Sequence, residues 1–437
     1  MKFCALNSAE LFLKLDKMNS SLGDVFLDCF EEADSFVILF NNVDIGERTA
    51  FRLPKLCKDD VLAYLYKRWP HSKTHREVDA AQDHEVNLGP YHPLLQGDIR
   101  PIVKMKGETI ESVRFQTGYR FLGLEERLLN YGIEQGAFLC SHLNPEQNPV
   151  ANTLWCYALE SFAQIDIPNR AKIVRMLFLE LARIRSHILF FKKMSELLGL
   201  EVFSFRCKEQ LQYLKKIYRD YGLSYAHPFL STPGGLYKNM PDAWPLELKA
   251  YLNNFEKFLD GLKRDFLESR FVYDRCLISP FSGQEGLQGS LTGPVLRSAG
   301  IRLDNRKRND FYFYNQLDFE IPLGSRGTVF ERLLVRSEEL VQSLKILRQI
   351  FNFIPVGDHI VPFEINSSGS FYAALEAPEG ELGLYITLGN GKLQTVKFRS
   401  SAKHHLLFAS GQASNNNLSD FLVSYCSLNI SASELDG

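Results

Sequence analysis

Clustered cysteines are missing from this sequence. Its 437 residues include 8 cysteines, which are scattered along the chain, and no two of them are spaced as C-x-x-C. Iron–sulfur clusters and structural zinc ions usually need clustered soft ligands, so we expect neither in this chain. Scattered cysteines without a readable export signal fit a reducing compartment, where most of them serve as small buried apolar groups.

Nucleotide-binding and common catalytic motifs are also missing. The sequence has no Walker loop, no G-x-G-x-x-G after a predicted strand, no H-E-x-x-H and no G-x-S-x-G. Lys392 follows Gly389-Asn390-Gly391, which is typical of a hairpin turn rather than of a phosphate-binding loop. We therefore expect that the chain does not bind NAD(H) or a nucleotide by itself.

The sequence has neither a large excess of one charge nor a long apolar run. The formal net charge is −2, which argues against a nucleic-acid partner and against a polybasic membrane anchor. No stretch reaches the roughly 18 uncharged apolar residues of a membrane-spanning helix. If the protein works at a membrane, we expect other subunits to hold it there.

What the sequence does contain is an ordinary globular composition, with 45% hydrophobic and 23% charged residues. Its length suits two or more domains. Residues 1–80 predict a small mixed unit, with helical periodicity at Ala9–Met18 and Lys58–Trp69 and a buried strand at Phe36–Phe40. The polar stretch Ser72–Glu85 predicts a linker.

Helices dominate the middle of the chain. Apolar residues form one stripe along a helix from about Pro168 to Leu198, for which Asp166 is the predicted N-cap. A second long helix is predicted after Gly327. Alternating patterns predict strands, and further periodic segments predict helices. These strands are Pro101–Lys106, Ser112–Gln116, Gly383–Thr387 and Gln394–Phe398, and these helices are Glu209–Arg219 and Leu246–Leu267.

Three polar residues of the first long helix are candidates for chemistry. Glu180 and His187 are seven residues apart, so they share one face beside the apolar stripe, and Arg183 lies between them. Polar groups near a buried face cost free energy unless they are paired. Spacing alone favours an internally satisfied polar cluster over a proton-handling group in the helical core.

A basic run follows later in the chain, and aromatic residues come directly after it. Basic and aromatic side chains together occur in sites for single-stranded nucleic acid. Here acidic residues are interleaved with them and largely cancel the positive field, so a structural salt-bridge region or a subunit contact is favoured. The basic residues are Arg297, Arg302, Arg306, Lys307 and Arg308, and the acidic ones are Asp304, Asp310, Asp318 and Glu320.

An ordered set of segments resembles one family, which contains the D-type subunit of NADH-quinone oxidoreductase (complex I) and the large subunit of membrane-bound [NiFe] hydrogenases. The resemblance covers residues 87–437, and residues 1–80 lie where the C-type subunit of complex I, or the fused N-terminal module of membrane-bound hydrogenases, would be. The matching segments are Asn87–Pro93 (NLGPYHP), Thr117–Glu125 (TGYRFLGLE), Ile167–His187, Leu291–Lys307, Asp318–Gly324 (DFEIPLG), Phe330–Ser343 and Glu376–Tyr385 (EAPEGELGLY).

This resemblance implies an α+β fold that is mainly α: a hydrogenase large-subunit-like helical bundle with small β elements at both ends. In hydrogenases of the family, four cysteines hold nickel and iron. Their positions correspond here to Asn144, Gln147, Ser431 and Glu434. Without soft thiolates that metal centre cannot assemble, so we expect no metal site and no nickel.

The same resemblance implies a cavity for a quinone headgroup, although its two usual hydrogen-bonding residues are changed. The family histidine corresponds to Gln96 and the family tyrosine falls near Leu139. An amide still donates a hydrogen bond but cannot deliver a proton as histidine does. The candidate cavity residues are His92, Gln96, Glu180, Arg183 and His187, and no catalytic residue is assigned.

The leading functional hypothesis is a D-type component of a membrane-associated electron-transfer complex of NADH-quinone oxidoreductase or hydrogenase type. The resemblance implies an iron–sulfur small subunit and other complex subunits as partners, with membrane contact only through them. It also implies a peripheral place on the cytoplasmic side of the inner membrane. The chain itself would bind no cofactor except a quinone. Two alternatives stay open, a non-catalytic scaffold subunit and, disfavoured by the absent cysteines, a hydrogenase large subunit.

Overall fold

A computed structural model describes residues 2–5, 24–31, 35–42, 48–54, 61–63, 85–90, 92 and 98–436 of the chain. The helix predicted at Ala9–Met18 lies outside the described residues. So do the linker Ser72–Glu85, except for its last residue, and most of the helix predicted at Lys58–Trp69.

The first described strands form a sheet of four strands with the order β1-β4-β3-β2. They are β1 (Lys2–Ala5), β2 (Asp24–Glu31), β3 (Ser35–Asn42) and β4 (Arg48–Pro54). Strand β3 contains the predicted strand Phe36–Phe40, which is thereby confirmed. Strand β1 pairs with β4 in parallel, whereas β2–β3 and β3–β4 are antiparallel.

A second sheet, in the order β5-β6-β7, opens the segment that resembles the family. It consists of β5 (Glu85–Asn87), β6 (Arg100–Lys106) and β7 (Thr109–Gln116), all antiparallel. The strands predicted at Pro101–Lys106 and Ser112–Gln116 are confirmed.

The middle of the chain is helical, interrupted by the short hairpin β8 (Ser231–Thr232) and β9 (Gly235–Leu236). Its longer helices are α1 (Leu124–Cys140), α2 (Val150–Ala163), α3 (Asn169–Leu197), α4 (Glu201–Tyr221) and α5 (Trp244–Leu262), which continues into a π-helical turn at Lys263–Leu267. Short helices follow: α6 (Arg270–Cys276), α7 (Gly283–Gln288), α8 (Gly293–Ser298) and α9 (Asn305–Arg308). The second long helix is α10 (Val329–Phe351), which begins with a capping box of Thr328 and Glu331.

Helix α3 is buried on nearly every side, because α2, α4, α10 and a C-terminal helix at Leu418–Leu428 surround it. The predicted helix is confirmed, but its predicted N-cap is wrong. Pro168 occupies the N-cap position in an extended conformation, and no side chain caps the helix. Asp166 lies two residues too early in the chain and instead accepts a hydrogen bond from Lys172 Nζ at 2.5 Å.

The C-terminal part contains the antiparallel sheet β10-β11-β12 and three helices. The strands are β10 (Gly369–Ala377), β11 (Gly380–Gly389) and β12 (Lys392–Arg399), which confirms the hairpin turn predicted before Lys392. The helices are α11 (Ser401–Gln412), α12 (Leu418–Leu428) and α13 (Ala432–Leu435), which the sequence patterns had not predicted.

The first sheet packs against this C-terminal sheet. Arg52 of β4 donates hydrogen bonds to the Tyr385 hydroxyl at 2.8 Å and to Ser370 Oγ at 3.0 Å. The chain therefore has the mainly α, α+β architecture that the resemblance implied, with β elements near both ends. In the part of the chain that the structure describes, no helix is both long and apolar enough to span a bilayer.

Candidate functional site

Glu180 lies at the centre of a buried polar cluster between α3, α9 and α10. Its Oε1 atom accepts a hydrogen bond from the Tyr314 hydroxyl at 2.7 Å, and its Oε2 atom accepts one from Ser343 Oγ at 2.6 Å. Arg306 Nη1 lies 3.3 Å from Oε1, and Arg183 Nε lies 3.6 Å from Oε2. Burial alone would raise the pKa of Glu180, but the charges of Arg306 and Arg183 hold it below its ordinary value. Glu180 is therefore an ionised carboxylate with both of its oxygens paired.

His187 lies two turns further along α3 and contacts two residues of α10. Its Nε2 atom lies 2.9 Å from Glu339 Oε2, and its Nδ1 atom lies 3.4 Å from Arg336 Nη1. A guanidinium can only donate, so Nδ1 accepts and Nε2 carries the proton that is donated to Glu339. Burial lowers the pKa of His187 to about 4, against the effect of Glu339. His187 is thus a neutral imidazole at neutral pH.

Arg297 and Arg306 join these residues into one network. Arg297 Nη2 donates to Glu339 at 2.6 Å and its Nη1 donates to Glu376 at 2.6 Å. Arg306 Nη2 donates to Asp304 at 2.7 Å. The salt-bridge interpretation of the basic run is correct for these two arginines, whereas Arg302 is exposed. The network is called the ion cluster below and consists of Glu180, Arg183, His187, Arg297, Asp304, Arg306 and Glu339.

Three of the four residues that the resemblance aligns with the family cysteines meet at one carboxyl group, that of Glu434. Asn144 Nδ2 donates to Glu434 Oε1 at 2.7 Å, and Gln147 Nε2 donates to the same oxygen. The Ser400 hydroxyl bonds to the other oxygen, while Ser431 contacts Ser433. Asn144 and Gln147 are buried. Burial of the carboxyl group raises the pKa of Glu434, against the hydrogen bonds from Asn144 and Ser400.

Glu379, in the turn between β10 and β11, lies close to Glu434. Its Oε1 atom accepts hydrogen bonds from Asn429 Nδ2 at 3.1 Å and from Ser186 Oγ at 3.4 Å. Burial raises the pKa of Glu379 well above its ordinary value, and the neighbouring carboxyl of Glu434 raises it further. This second group is called the carboxyl pocket and consists of Asn144, Gln147, Glu379, Ser400, Asn429 and Glu434.

Neither group offers a typical metal site. Across the described ranges of the chain, no three His, Cys, Asp or Glu side chains are arranged to hold a metal ion. The carboxyl pocket presents amides, a hydroxyl and carboxyl groups, which are hard ligands and do not suit a nickel–iron centre held by thiolates.

The structure brings three of the five predicted cavity residues together, namely Glu180, Arg183 and His187 on α3. His92 lies half-buried after β5, and Gln96 falls outside the described residues, so a shared pocket for the five stays a prediction. Leu139, near the family tyrosine position, packs against the core from α1.

Two important residues, Glu339 and Glu379, were not predicted from the sequence. A signal for Glu339 was present, because Arg332, Arg336, Glu339 and Ser343 recur at spacings of 4, 3 and 4 along one face of α10. Glu379 had no comparable signal, since it reaches its partners only when the turn between β10 and β11 meets α3 and the residues after α12.

The ion cluster and the carboxyl pocket together suit the stabilisation of buried charges and protons rather than nucleophilic catalysis. The ion cluster holds ionised carboxylates against arginines, and burial raises the pKa of Tyr314 well above its ordinary value, so this phenol stays protonated. The carboxyl pocket instead holds carboxyl groups that favour the protonated form. Together they provide hydrogen-bond donors and acceptors at fixed positions in a space from which water is largely excluded.

Known proteins with similar sequences agree with the motif resemblance. Residues 213–365 match the family described as the 49 kDa subunit of respiratory-chain NADH dehydrogenase. The NADH-quinone oxidoreductase D subunit of Acidiphilium cryptum is 28% identical over 391 residues, which cover 83% of this chain and 96% of that protein. A D subunit of Roseiflexus sp. is 29% identical over 370 residues, or 81% of this chain and 99% of that protein. The D subunit of Magnetococcus marinus is 26% identical over 385 residues, 81% of this chain and 97% of that protein. These matches confirm the resemblance to the D-type subunit across most of the chain.

Proposed function

We propose that this chain is a divergent D-type subunit of a complex of the NADH-quinone oxidoreductase type, the family that it resembles over most of its length. In this proposal it forms a quinone-type cavity beside an iron–sulfur subunit that supplies electrons. The chain binds no redox cofactor of its own and reaches the membrane through its partners, on the cytoplasmic face of the inner membrane.

The convergence of Asn144, Gln147 and Glu434 is the observation that carries this proposal. These residues come from the segment before α2 and from α13, which are far apart in sequence, yet two amides meet one carboxyl oxygen. Three of the four positions that the resemblance aligns with the family cysteines therefore meet at one place, with amide and carboxyl groups instead of thiolates. Such a change is consistent with a subunit that keeps the cavity and has replaced metal chemistry with hydrogen bonding.

The ion cluster supplies the electrostatics that a quinone site requires. Reduction of a quinone adds negative charge, which fixed hydrogen-bond donors and positive groups stabilise. Arg183 and Arg306 are buried guanidinium groups beside Glu180, and the neutral His187 is oriented by Glu339 and Arg336. In the proposal these three residues set the electrostatic potential of the cavity and do not contact the quinone.

A non-catalytic scaffold is the second candidate, and the same ion cluster is the observation that favours it. Every member of the cluster has a partner on another member, so burial and pairing alone account for its geometry. A hydrogenase function remains disfavoured, because the four cysteine positions hold Asn144, Gln147, Ser431 and Glu434.

Purification of the chain together with the subunits encoded beside it tests the proposal. We expect an iron–sulfur subunit to co-purify and the assembled complex to reduce a quinone. Elemental analysis should find no nickel in stoichiometric amount, and a nickel content near one atom per chain would contradict the proposal. An assembled complex with no quinone reductase activity would favour the scaffold.

The variant Gln96→His separates the two candidates within the assembled complex. Histidine returns a titratable donor to the family position, so a subunit that works on quinone should keep or increase its turnover. If the cavity takes a quinone, one hydrogen bond from Gln96 to a carbonyl oxygen of the quinone would contribute about 0.5–1.5 kcal/mol net. In a scaffold, the same change should leave assembly intact and generate no activity. The variant Gln82→His, in the predicted linker, provides a control for the addition of a histidine.

A further inference from the structure

Two buried side chains, one in the carboxyl pocket and one beside it, have polar atoms without a hydrogen-bond partner in the described part of the chain. Glu379 uses only Oε1, whereas its Oε2 atom has no hydrogen-bond partner there. Arg336 uses only Nη1, whereas its Nε and Nη2 atoms have none. An unsatisfied buried donor or acceptor destabilises the folded state, so three such atoms on two neighbouring side chains require an explanation.

These atoms belong to groups that are neighbours. Arg336 Nη1 lies 3.5 Å from the carbonyl oxygen of Pro378, the residue directly before Glu379. The charge of Arg336 acts on the ionisation of Glu379, and that of Glu379 acts on Arg336. Among the described residues, however, no direct ion pair joins the two side chains, although Arg336 would be a strong partner. Polar groups that face each other beyond direct hydrogen-bond distance are commonly bridged by water.

We propose that a bound water molecule bridges Glu379 Oε2 and the Arg336 guanidinium, and that Glu379 is a proton-exchanging carboxyl group of this subunit. Arg336 donates to the water from Nη2 or Nε, and the water meets Glu379 at Oε2. This provides at least two polar partners, which is what a buried water molecule needs.

The charges around Glu379 favour the protonated acid while keeping it exchangeable. Glu434 on α13 and Glu146 before α2 oppose its ionisation, whereas Arg336 on α10 and Lys193 on α3 favour it. Burial acts in the same direction as Glu434 and Glu146, and together they outweigh Arg336 and Lys193 and raise the pKa of Glu379 well above its ordinary value.

The remaining neighbours are hydrogen-bonding groups. Ser186 of α3 and Asn429 after α12 donate to Glu379 Oε1, and Ser401 of α11 donates to its main-chain oxygen. None of these three side chains can take its proton.

The exchange step is a simple proton transfer. The O–H bond of Glu379 breaks, its electron pair stays on Oε2, and the proton passes to the bridging water, which releases a proton to a base in the solvent. In the proposal solvent reaches the pocket on the side of Glu146, whose carboxylate is partly exposed and pairs with Lys193 at 2.7 Å. His187 does not take the proton, because its Nδ1 atom is occupied by Arg336. The product carboxylate is stabilised by Arg336, which has no ion pair of its own within the described chain.

This inference goes beyond the proposed function, since it concerns protonation of the chain itself and holds whichever electron acceptor the complex uses. Infrared difference spectroscopy after a pH jump tests it on the full chain. We expect a protonated-carboxyl C=O band that shifts in D2O and disappears as the pH rises, and we expect Glu379→Gln to lack this component. The control variant Glu364→Gln, outside the carboxyl pocket, should keep it. An unchanged spectrum in Glu379→Gln would overturn the proposal.

The bridging water is tested on the wild-type protein, so that the result does not depend on a variant that folds. A high-resolution density map should contain an ordered water within hydrogen-bond distance of both Glu379 Oε2 and Arg336 Nη2 or Nε. A direct Arg336–Glu379 ion pair, or a dry contact, would overturn it. If the infrared band of Glu379 and the bridging water are both observed but the assembled complex does not reduce a quinone, the proposed function is contradicted. The assignment of Glu379 as a proton-exchanging group is then unaffected.

Discussion

The ion cluster and the carboxyl pocket lie in the same buried core, and yet they treat charge in opposite ways. In the ion cluster, arginines hold the pKa values of Glu180 and Glu339 below their ordinary values, so the carboxylates stay ionised. In the carboxyl pocket, burial raises the pKa values of Glu379 and Glu434. The difference is a matter of partners, because the first carboxylates contact guanidinium groups and the second contact amides and hydroxyls.

The difference in partners helps to distinguish buried polar groups that only stabilise the fold from those that take part in function. A fully paired network is expected wherever a fold must bury charge, so it says little about function. Carboxyl groups that are buried without a direct cation have raised pKa values, and strongly perturbed pKa values cluster at functional sites. Glu379 and Glu434 are therefore stronger functional candidates than the residues of α3 that the sequence pattern indicated.

The largest expected effect is the loss of Arg297, which compensates two carboxylates of the core. The change Arg297→Met leaves Glu339 and Glu376 buried without their shared cation. We expect the free energy of unfolding to fall by about 3–5 kcal/mol, as for other broken buried ion pairs. Denaturant titration of the purified chain measures this. The exposed Arg302→Met is the control, and equal losses in both variants would show that the ion cluster is not paired as described.

The sequence predicts those parts of the ion cluster that depend on residues close together in the chain, and it does not predict the contacts between residues far apart in the chain. The 3.6-residue periodicity predicted α3 and α10 because it depends only on local spacing. The pairing of His187 with Glu339 joins residues 152 positions apart, and no local pattern encodes it. The predicted Asp166 cap failed because Pro168 shifted the start of the helix, and α11 to α13 were missed because their Ser- and Asn-rich segments carry weak helical patterns.

The second prediction concerns Glu180, the most thoroughly paired carboxylate of the ion cluster. In Glu180→Gln an amide nitrogen must face a donor from Arg306, Tyr314 or Ser343, so we expect a loss of about 1–3 kcal/mol in stability. If the cluster is structural, turnover per assembled complex should not change. Lower turnover at an unchanged yield of complex would show that the cluster takes part in the reaction and would break the division drawn here.

The third prediction uses pH, because the two regions should respond with opposite signs. Glu180 has a lowered pKa, so its stabilising contribution is present above the unfolded-state pKa of about 4.3 and is lost as the pH falls through the folded-state value. Glu434 has a raised pKa, so its contribution is complete below the unfolded-state pKa and is lost as the pH rises through the folded-state value.

Unfolding of the wild type and of two variants across the acidic and neutral range measures this. The stability advantage of the wild type over Glu180→Gln should grow as the pH rises, whereas its advantage over Glu434→Gln should shrink. Parallel slopes for the two variants would mean that both carboxyl groups have the same charge state, and the contrast between the regions would be lost.

The smallest expected effect is the loss of a single hydrogen bond, which can be compared between the ion cluster and the carboxyl pocket. Tyr314→Phe removes a single donor from Glu180, and Gln147→Met removes a single donor from Glu434 with little change in shape. A hydrogen bond to an ionised acceptor contributes about 1.5–3 kcal/mol, whereas one between neutral groups contributes about 0.5–1.5 kcal/mol. If Glu180 is ionised and Glu434 is protonated, Tyr314→Phe should therefore lower the free energy of unfolding more than Gln147→Met does near neutral pH.

The pH dependence of the loss gives a second test. At a pH high enough to ionise Glu434, the loss of stability in Gln147→Met should rise toward that in Tyr314→Phe. Gln147 Oε1 has no hydrogen-bond partner among the described residues, so its loss removes no further bond from the comparison. Equal costs at neutral pH would place the same charge on both carboxyl groups, and an unchanging cost of Gln147→Met across the pH range would show that Glu434 does not titrate.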